Sequence, residues 1–175
     1  LFGSHDKERG ESYCMLDYVG WSAPVDDLSD WTCSGVIYSP QQDPLYGEEM
    51  KYLYAPDVVR GNDGRYYLYY CMAGWHGKGG YSNPVSVAVC DKPDGRYEYL
   101  GVVKNADGTP LTRYVCFDPA VINDNGTIRL YYGTNYPWFD KMPFRWMREQ
   151  AISIMSGKTK AEIRSVPEGV MGAYH

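Results

Sequence analysis

No run of 18 apolar residues occurs in this 175-residue chain, so no segment can cross a bilayer as a helix. Basic charge is in deficit. Lys plus Arg number 17 against 22 Asp plus Glu, for a formal net charge of −5. General nucleic-acid binding is disfavoured, because holding phosphates needs a clustered excess of Lys and Arg. No basic segment followed by an apolar one marks a leader peptide, and no initiator Met precedes Leu1, so upstream sequence is expected to be missing. The five cysteines form no CxxC pair and are odd in number, unlike a disulfide framework or a zinc ribbon. Cys14, Cys33, Cys71, Cys90 and Cys116 are therefore expected as buried, reduced thiols in strands. That favours a reducing compartment such as a bacterial cytoplasm. No metal motif appears and no cofactor is expected.

What is present points to an all-β chain. Eighteen Tyr favour half-buried strands, and 19 Gly with 11 Pro punctuate the short runs between them. A repeat organises these runs. Ala55-Pro56-Asp57-Val58-Val59, a turn at Asn62-Asp63-Gly64-Arg65, and Tyr66-Tyr67-Leu68-Tyr69-Tyr70 form one hairpin. Phe117-Asp118-Pro119-Ala120-Val121-Ile122, a turn at Asp124-Asn125-Gly126-Thr127, and Ile128-Arg129-Leu130-Tyr131-Tyr132 form its counterpart, with Leu68 and Leu130 62 residues apart. Each hairpin is followed by a loop and two further strand signals. These are Val85–Cys90 and Tyr97–Val103 in the first unit, Ala151–Met155 and Ile163–Val166 in the second. Leu1–Ser4, Tyr18–Trp21 and Trp31–Tyr38 fit the same template, cut short at its start.

Four-stranded meanders at this spacing predict β-propeller blades, with a pair of packed sheets as the alternative. Residues 1–175 are read as one partial propeller. Residues 1–40 are the rest of a first blade, 50–104 a second and 114–166 a third, with 167–175 a linker toward a fourth. In such a meander the start of strand one and the end of strand two share an edge. Asp118 then lies on the same face as Trp75, His76, Tyr136 and Trp138 in the loops after Tyr70 and Tyr132, and as His5 and Asp6 after the first short strand. A carboxylate among Trp, Tyr and His suits sugar binding, since rings stack on sugar C–H faces and carboxylates accept hydroxyl hydrogen bonds. The plainer alternative is that Asp118 caps a turn before Pro119.

The segments Tyr54-Ala55-Pro56-Asp57-Val58-Val59 with Gly64–Tyr70, and Phe117-Asp118-Pro119-Ala120-Val121 with Asp124-Asn125-Gly126 and Leu130-Tyr131-Tyr132, resemble blades two and three of glycoside hydrolase family 43. Gly3-Ser4-His5-Asp6 and Trp21-Ser22 through Asp30-Trp31 resemble the rest of its blade one. The resemblance implies a partial five-bladed β-propeller and an enzyme that cleaves arabinose- or xylose-containing plant polysaccharides or oligosaccharides with inversion. It also implies three carboxylates: an Asp base on blade one, a pKa-modulating and orienting Asp on blade three, and a Glu acid on blade four. Only Asp118, the third, falls on a matching position. The base is expected before Leu1 and the acid after His175.

Glu168-Gly169 echoes an acidic motif of the family, but it follows a fourth strand with no hairpin after it. Asp57 begins a blade-two strand, where a substrate-side or structural role is expected. His5, Asp6, Asp57, Trp75, His76, Tyr136 and Trp138 are the candidate substrate contacts. The family also implies an axial Ca or Na ion in the full-length protein, held by a His outside this chain. The expected partner is a saccharide, with self-association through exposed blade edges. Two other readings compete. One is a non-catalytic carbohydrate-binding propeller. The other is a protein-interaction propeller, disfavoured because its repeats are shorter.

Overall fold

The computed structural model describes residues 1–80, 83–111 and 116–133, and among these the regular structure is strands and two single 3₁₀ turns. Strands β1 (Phe2–Ser4), β2 (Tyr18–Ser22) and β3 (Thr32–Tyr38) form one sheet. Strands β4 (Tyr52–Arg60), β5 (Tyr66–Ala73), β6 (Ser86–Cys90) and β7 (Glu98–Val102) form a second, and β8 (Phe117–Asp124) pairs with β9 (Thr127–Gly133). Every pairing is antiparallel between strands consecutive in sequence. The architecture is all-β: most of one propeller blade, a complete second and the opening hairpin of a third. The strands expected at Ala151–Met155 and Ile163–Val166, and the linker 167–175, lie outside the described residues.

Strand β5 explains why neighbouring sheets pack. Its sequence, YYLYYCMA, is buried over most of its length. Side chains alternate across a strand, so Leu68, Tyr70 and Met72 enter one core with Tyr18, Ile37, Tyr38 and Leu53. Cys71 and Ala73 enter the other with Tyr54, Val85, Cys116 and Phe117. One strand thus serves two cores, and the run of tyrosines is packing, as expected. A strand buried on both faces reads as a near-continuous apolar run rather than an alternation.

The buried carboxylate of Asp43 is paired, as burial requires, whereas the buried hydroxyl of Ser86 has no partner among the described residues. Tyr70 donates its hydroxyl to Asp43 Oδ2 at 2.6 Å and lies 2.6 Å from the hydroxyl of Tyr38. The other Asp43 oxygen accepts the Leu45 N–H at 2.8 Å. Asp43 is itself buried, in the connection after a 3₁₀ turn at Pro40–Gln42. The network joins the first sheet, through Tyr38 on β3, to the second, through Tyr70 on β5. At the hairpin-turn edge Asn62 donates to the Gly126 carbonyl at 2.7 Å, and Asn123 donates to the Arg60 carbonyl at 2.9 Å. The Asn125-Gly126 turn has positive φ at both residues, 49° and 95°, as a two-residue hairpin of this hand requires.

The structure differs from expectation in two places. Strand β4 starts at Tyr52, so Asp57 sits mid-strand rather than at its beginning. A bulge between Tyr54 and Asp57 absorbs Ala55 and Pro56. Proline is tolerated there because β4 is an edge strand of its sheet. The cysteines are all free thiols, but only Cys71 and Cys116 are fully buried; Cys33 is exposed and Cys14 lies in a loop.

Burial raises the hydroxyl pKa of Tyr70 far above the usual tyrosine value, with the Asp43 carboxylate adding to the effect. Burial also raises Tyr18 and Tyr38 and pushes Tyr54 to about 12. The unfolded chain ionises its tyrosines at about pH 10 while the folded chain does not. Stability from these groups is therefore complete below about pH 10 and is lost above it. The urea midpoint is expected to hold up to that pH and then fall. Tyr70→Phe leaves Asp43 Oδ2 without its donor. It should cost roughly 1–3 kcal/mol at neutral pH and weaken the alkaline dependence, both read from urea titrations.

Candidate functional site

One edge of the sheets gathers the loops and strand starts that matter. Tyr52 at the start of β4 pairs with Ala73 at the end of β5, and Phe117 at the start of β8 pairs with Gly133 at the end of β9. Ser4, at the end of β1, donates its hydroxyl to the Leu53 carbonyl at 3.0 Å. The loops after β1 and β5 therefore emerge beside each other and beside Asp118.

Asp118 sits in a bulge between Phe117 and Ala120, with φ of 51°. This left-handed conformation is uncommon outside glycine, and Asp is among the residues that tolerate it. Its backbone lies close to the buried thiol of Cys71. Its side chain is exposed to solvent on one side and crowded on the other, and this partial desolvation raises its carboxyl above the usual aspartate range. No described residue hydrogen-bonds that carboxylate. A turn-capping side chain would be engaged with a nearby N–H, so the geometry does not fit the cap alternative.

The same bulge recurs in the preceding blade, where Ala55 has φ of 46° before Pro56. The structural counterpart of Asp118 in blade two is thus Ala55, not Asp57. Asp57 has another task. Its Oδ2 accepts the Val121 N–H of β8 at 2.7 Å and its Oδ1 accepts the Val58 N–H at 2.9 Å. It bridges the inner strands of two blades and supports the strand that carries Asp118.

Around Asp118 the aromatic groups form a connected set. The Tyr54 ring lies 5.5 Å from Phe117 and 5.6 Å from Tyr13, and Tyr13 lies 5.6 Å from His76. His76 and Trp75 are 3.9 Å apart, edge to face, and Trp75 and Tyr13 are about half exposed. The loop bearing Trp75 and His76 returns closely over Phe117. A Cβ on Gly80 would lie 2.5 Å from the Ala73 Cβ and 2.8 Å from Phe117, so only glycine allows this approach. Cys14 feels the charges of both Asp6 and Asp118, and burial raises its thiol pKa.

The remaining candidates are placed as follows. Asp6 accepts the Cys14 N–H and closes its own loop. His5 Nδ1 lies 3.0 Å from Asp17 at an exposed position. Tyr136, Trp138 and Glu168 lie outside the described residues. Tyr13, Ser12, Cys14 and Asp17 were missed by sequence reasoning. The signal was available in outline, since the loop after β1 is the blade-one counterpart of the loop after β5. Among the described residues no group of three or more His, Cys, Asp or Glu could hold a metal ion.

The profile of Glycosyl hydrolases family 43 matches residues 22–168, more than half of the chain. The chain belongs to glycosyl hydrolase family 43. A xylosidase/arabinosidase of Thermoclostridium stercorarium is 49% identical over 138 residues, which cover 76% of this chain and 28% of that protein. An extracellular endo-α-(1→5)-L-arabinanase of Thermotoga petrophila is 30% identical over 102 residues, 50% of this chain and 20% of that one. The chain thus spans less than a third of the length of these relatives. Among solved structures, an α-L-arabinofuranosidase of Clostridium thermocellum superposes with a TM-score of 0.53 at 27% identity, over 77% of this chain and 43% of that one. An exo-β-1,3-galactanase from the same organism gives 0.56 at 18% identity, over 76% and 28%, which shows a shared fold alone. For a family 43 chain, the three sheets are most of blade one, blade two and the start of blade three of a five-bladed propeller.

The bulge geometry yields a stability test. Asp118→Asn keeps a residue that tolerates positive φ, and it removes a carboxylate whose raised pKa means that ionisation opposes folding. The opposition is absent at low pH and complete above the folded pKa. At neutral pH this family 43 chain should therefore lose no more than about 1 kcal/mol on Asp118→Asn. Ala55→Gly relieves left-handed strain and should raise stability by up to about 1 kcal/mol. Asp118→Val should lower it by at least about 1 kcal/mol, all three read from urea midpoints.

Proposed function

We propose that the protein carrying this chain is an inverting glycosidase of the arabinofuranosidase or β-xylosidase type, acting on arabinose- or xylose-containing plant polysaccharides or oligosaccharides. One observation carries the reading: a partly desolvated carboxylate, Asp118, stands in a left-handed bulge next to Phe117, from which ring contacts run through Tyr54 and Tyr13 to the exposed His76 and Trp75. The relationship to a xylosidase/arabinosidase supports the choice of pentose.

Inverting hydrolysis uses one carboxyl as acid and another as base, about 6.5–9.5 Å apart so that a water fits beside the sugar. The acid must keep its proton near neutral pH. Asp118 serves this acid rather than replacing it. Its negative charge disfavours ionisation of a neighbouring carboxyl by like-charge repulsion. Trp75, His76 and Tyr13 offer rings to the apolar face of a pentose and exclude water from it. The base and the acid are not among the described residues, and this proposal places them in the rest of the propeller.

The test is Asp118→Asn in the complete propeller, assayed on chromogenic arabinofuranosides and xylosides. The expected loss in kcat is about 10²-fold or more, on the scale of a general acid's contribution. The acid should then ionise more easily, so the alkaline limb of the pH–kcat profile should move to lower pH. The 175-residue chain by itself should show little or no turnover. Full activity of a folded Asp118→Asn enzyme would sink the reading in favour of carbohydrate binding or a scaffold role.

A further inference from the structure

We propose that the hydroxyl of Tyr54 is the positioning group that holds the Trp75–His76 turn, and Tyr13 against it, over the Asp118 edge. The inference rests on the glycosidase reading only for its kinetic consequence; the clamp itself stands on geometry. A phenol hydroxyl has one hydrogen to donate and two lone pairs to accept with. In Tyr54 the hydrogen and one lone pair are both used within a single turn. It donates to the Gly74 carbonyl at 3.0 Å and accepts the Gly77 N–H at 2.9 Å. The hydroxyl oxygen of Ser12 accepts the His76 N–H at 3.2 Å.

Gly74 and Gly77 bracket Trp75 and His76, so this oxygen pins both ends of a turn that its own backbone also closes, Gly77 N–H to the Gly74 carbonyl at 3.1 Å and Lys78 N–H to the Trp75 carbonyl at 3.0 Å. Ser12 belongs to the loop after β1, so the turn held by Tyr54 is also tied to a loop of the neighbouring blade. The backbone of Tyr54 is fixed as well, since its carbonyl accepts the Tyr18 hydroxyl at 2.8 Å. Its ring lies between Phe117, next to Asp118, and Tyr13.

The turn needs such a clamp. His76 has φ of 50°, a left-handed conformation that persists only where its surroundings over-determine it. The side chain of Trp75 is half exposed, and few apolar contacts hold it down. The clamp works across the working pH range because the hydroxyl keeps its proton far above neutrality.

Tyr54→Phe removes the oxygen and keeps the ring. Tyr97→Phe is the control: it deletes a hydroxyl that donates to the Pro93 carbonyl at 2.9 Å, in the turn at the opposite edge. Two measurements are made on the complete enzyme: amide exchange at Gly77 and His76, and kcat and KM on pentosides. For Tyr54→Phe the exchange at these amides should accelerate at least tenfold. KM should rise about tenfold, the factor one buried hydrogen bond supplies, with kcat reduced less and the pH profile unmoved. Tyr97→Phe should change neither. Unchanged exchange in a folded Tyr54→Phe protein overturns the proposal. So does faster exchange with KM intact, or equal KM effects in both variants, since both outcomes mean that the hydroxyl only adds stability. If the parent enzyme turns over no pentoside, the glycosidase reading fails, and the exchange at Gly77 and His76 still decides for or against the clamp.

Discussion

Burial of one strand on both of its faces is the constraint from which the rest follows. Strand β5 sends Leu68, Tyr70 and Met72 into the core shared with the first sheet, and Cys71 and Ala73 into the core shared with β8. No sheet here can bury its apolar surface alone, so each depends on its neighbours, as in any array of stacked repeats. The need for large side chains with a polar tip follows from this packing. A tyrosine fills the space between twisted sheets and carries a hydroxyl to the rim, where Asp43, a loop carbonyl or another tyrosine can take it. The tyrosine content is therefore a consequence of blade packing, and only secondarily a source of sugar contacts.

The inner-strand bulge is the second element that shapes this edge. It occurs in both blades, at Ala55-Pro56 and at Asp118-Pro119, with the same left-handed residue before the same proline. Since alanine occupies it in blade two, the bulge belongs to the architecture of the innermost strand and was not created for the acid. What distinguishes blade three is the side chain placed there. A bulge re-aims one residue out of the alternation of the strand, so a carboxylate at this point escapes both the core and the ladder. Asp57, two residues beyond the blade-two bulge, is back in the strand and is engaged by two backbone N–H groups.

The repeat of hairpin and turn made the blades readable from sequence, because Gly64 and Gly126 mark turns whose flanking runs have strand composition. The propeller and the edge that carries Asp118 followed from strand order. The start of β4 was not readable. Ala55-Pro56 looked like a strand opening, and nothing in the local composition shows that an edge strand can carry proline through a bulge. The roles of Asp6 and Asp57 were hidden for a related reason. A carboxylate that accepts a backbone N–H looks the same in sequence as one that faces a ligand. The role of the Tyr54 hydroxyl is equally invisible in sequence, because its partners Gly74 and Gly77 lie about 20 residues away and meet it only in the folded blade.

Satisfaction of polar groups separates scaffold from chemistry at this edge. Asp6, Asp57 and Asp118 lie on the same set of inner strands and loops, and their composition alone makes them equivalent. Asp6 is held by the Cys14 N–H, and Asp57 by the N–H groups of Val58 and Val121. Such hydrogen bonds satisfy the carboxylate and the backbone donor together and stabilise the fold. Asp118 has the opposite relation to its surroundings. Its carboxylate receives no hydrogen bond from the described residues, its pKa is raised by lost water, and its backbone is strained. Each of these features opposes folding, and none is repaid by a local contact. A carboxylate with a raised pKa, left unpaired among paired neighbours, is the pattern that marks a candidate functional group, and at this edge it falls on Asp118 alone among these three.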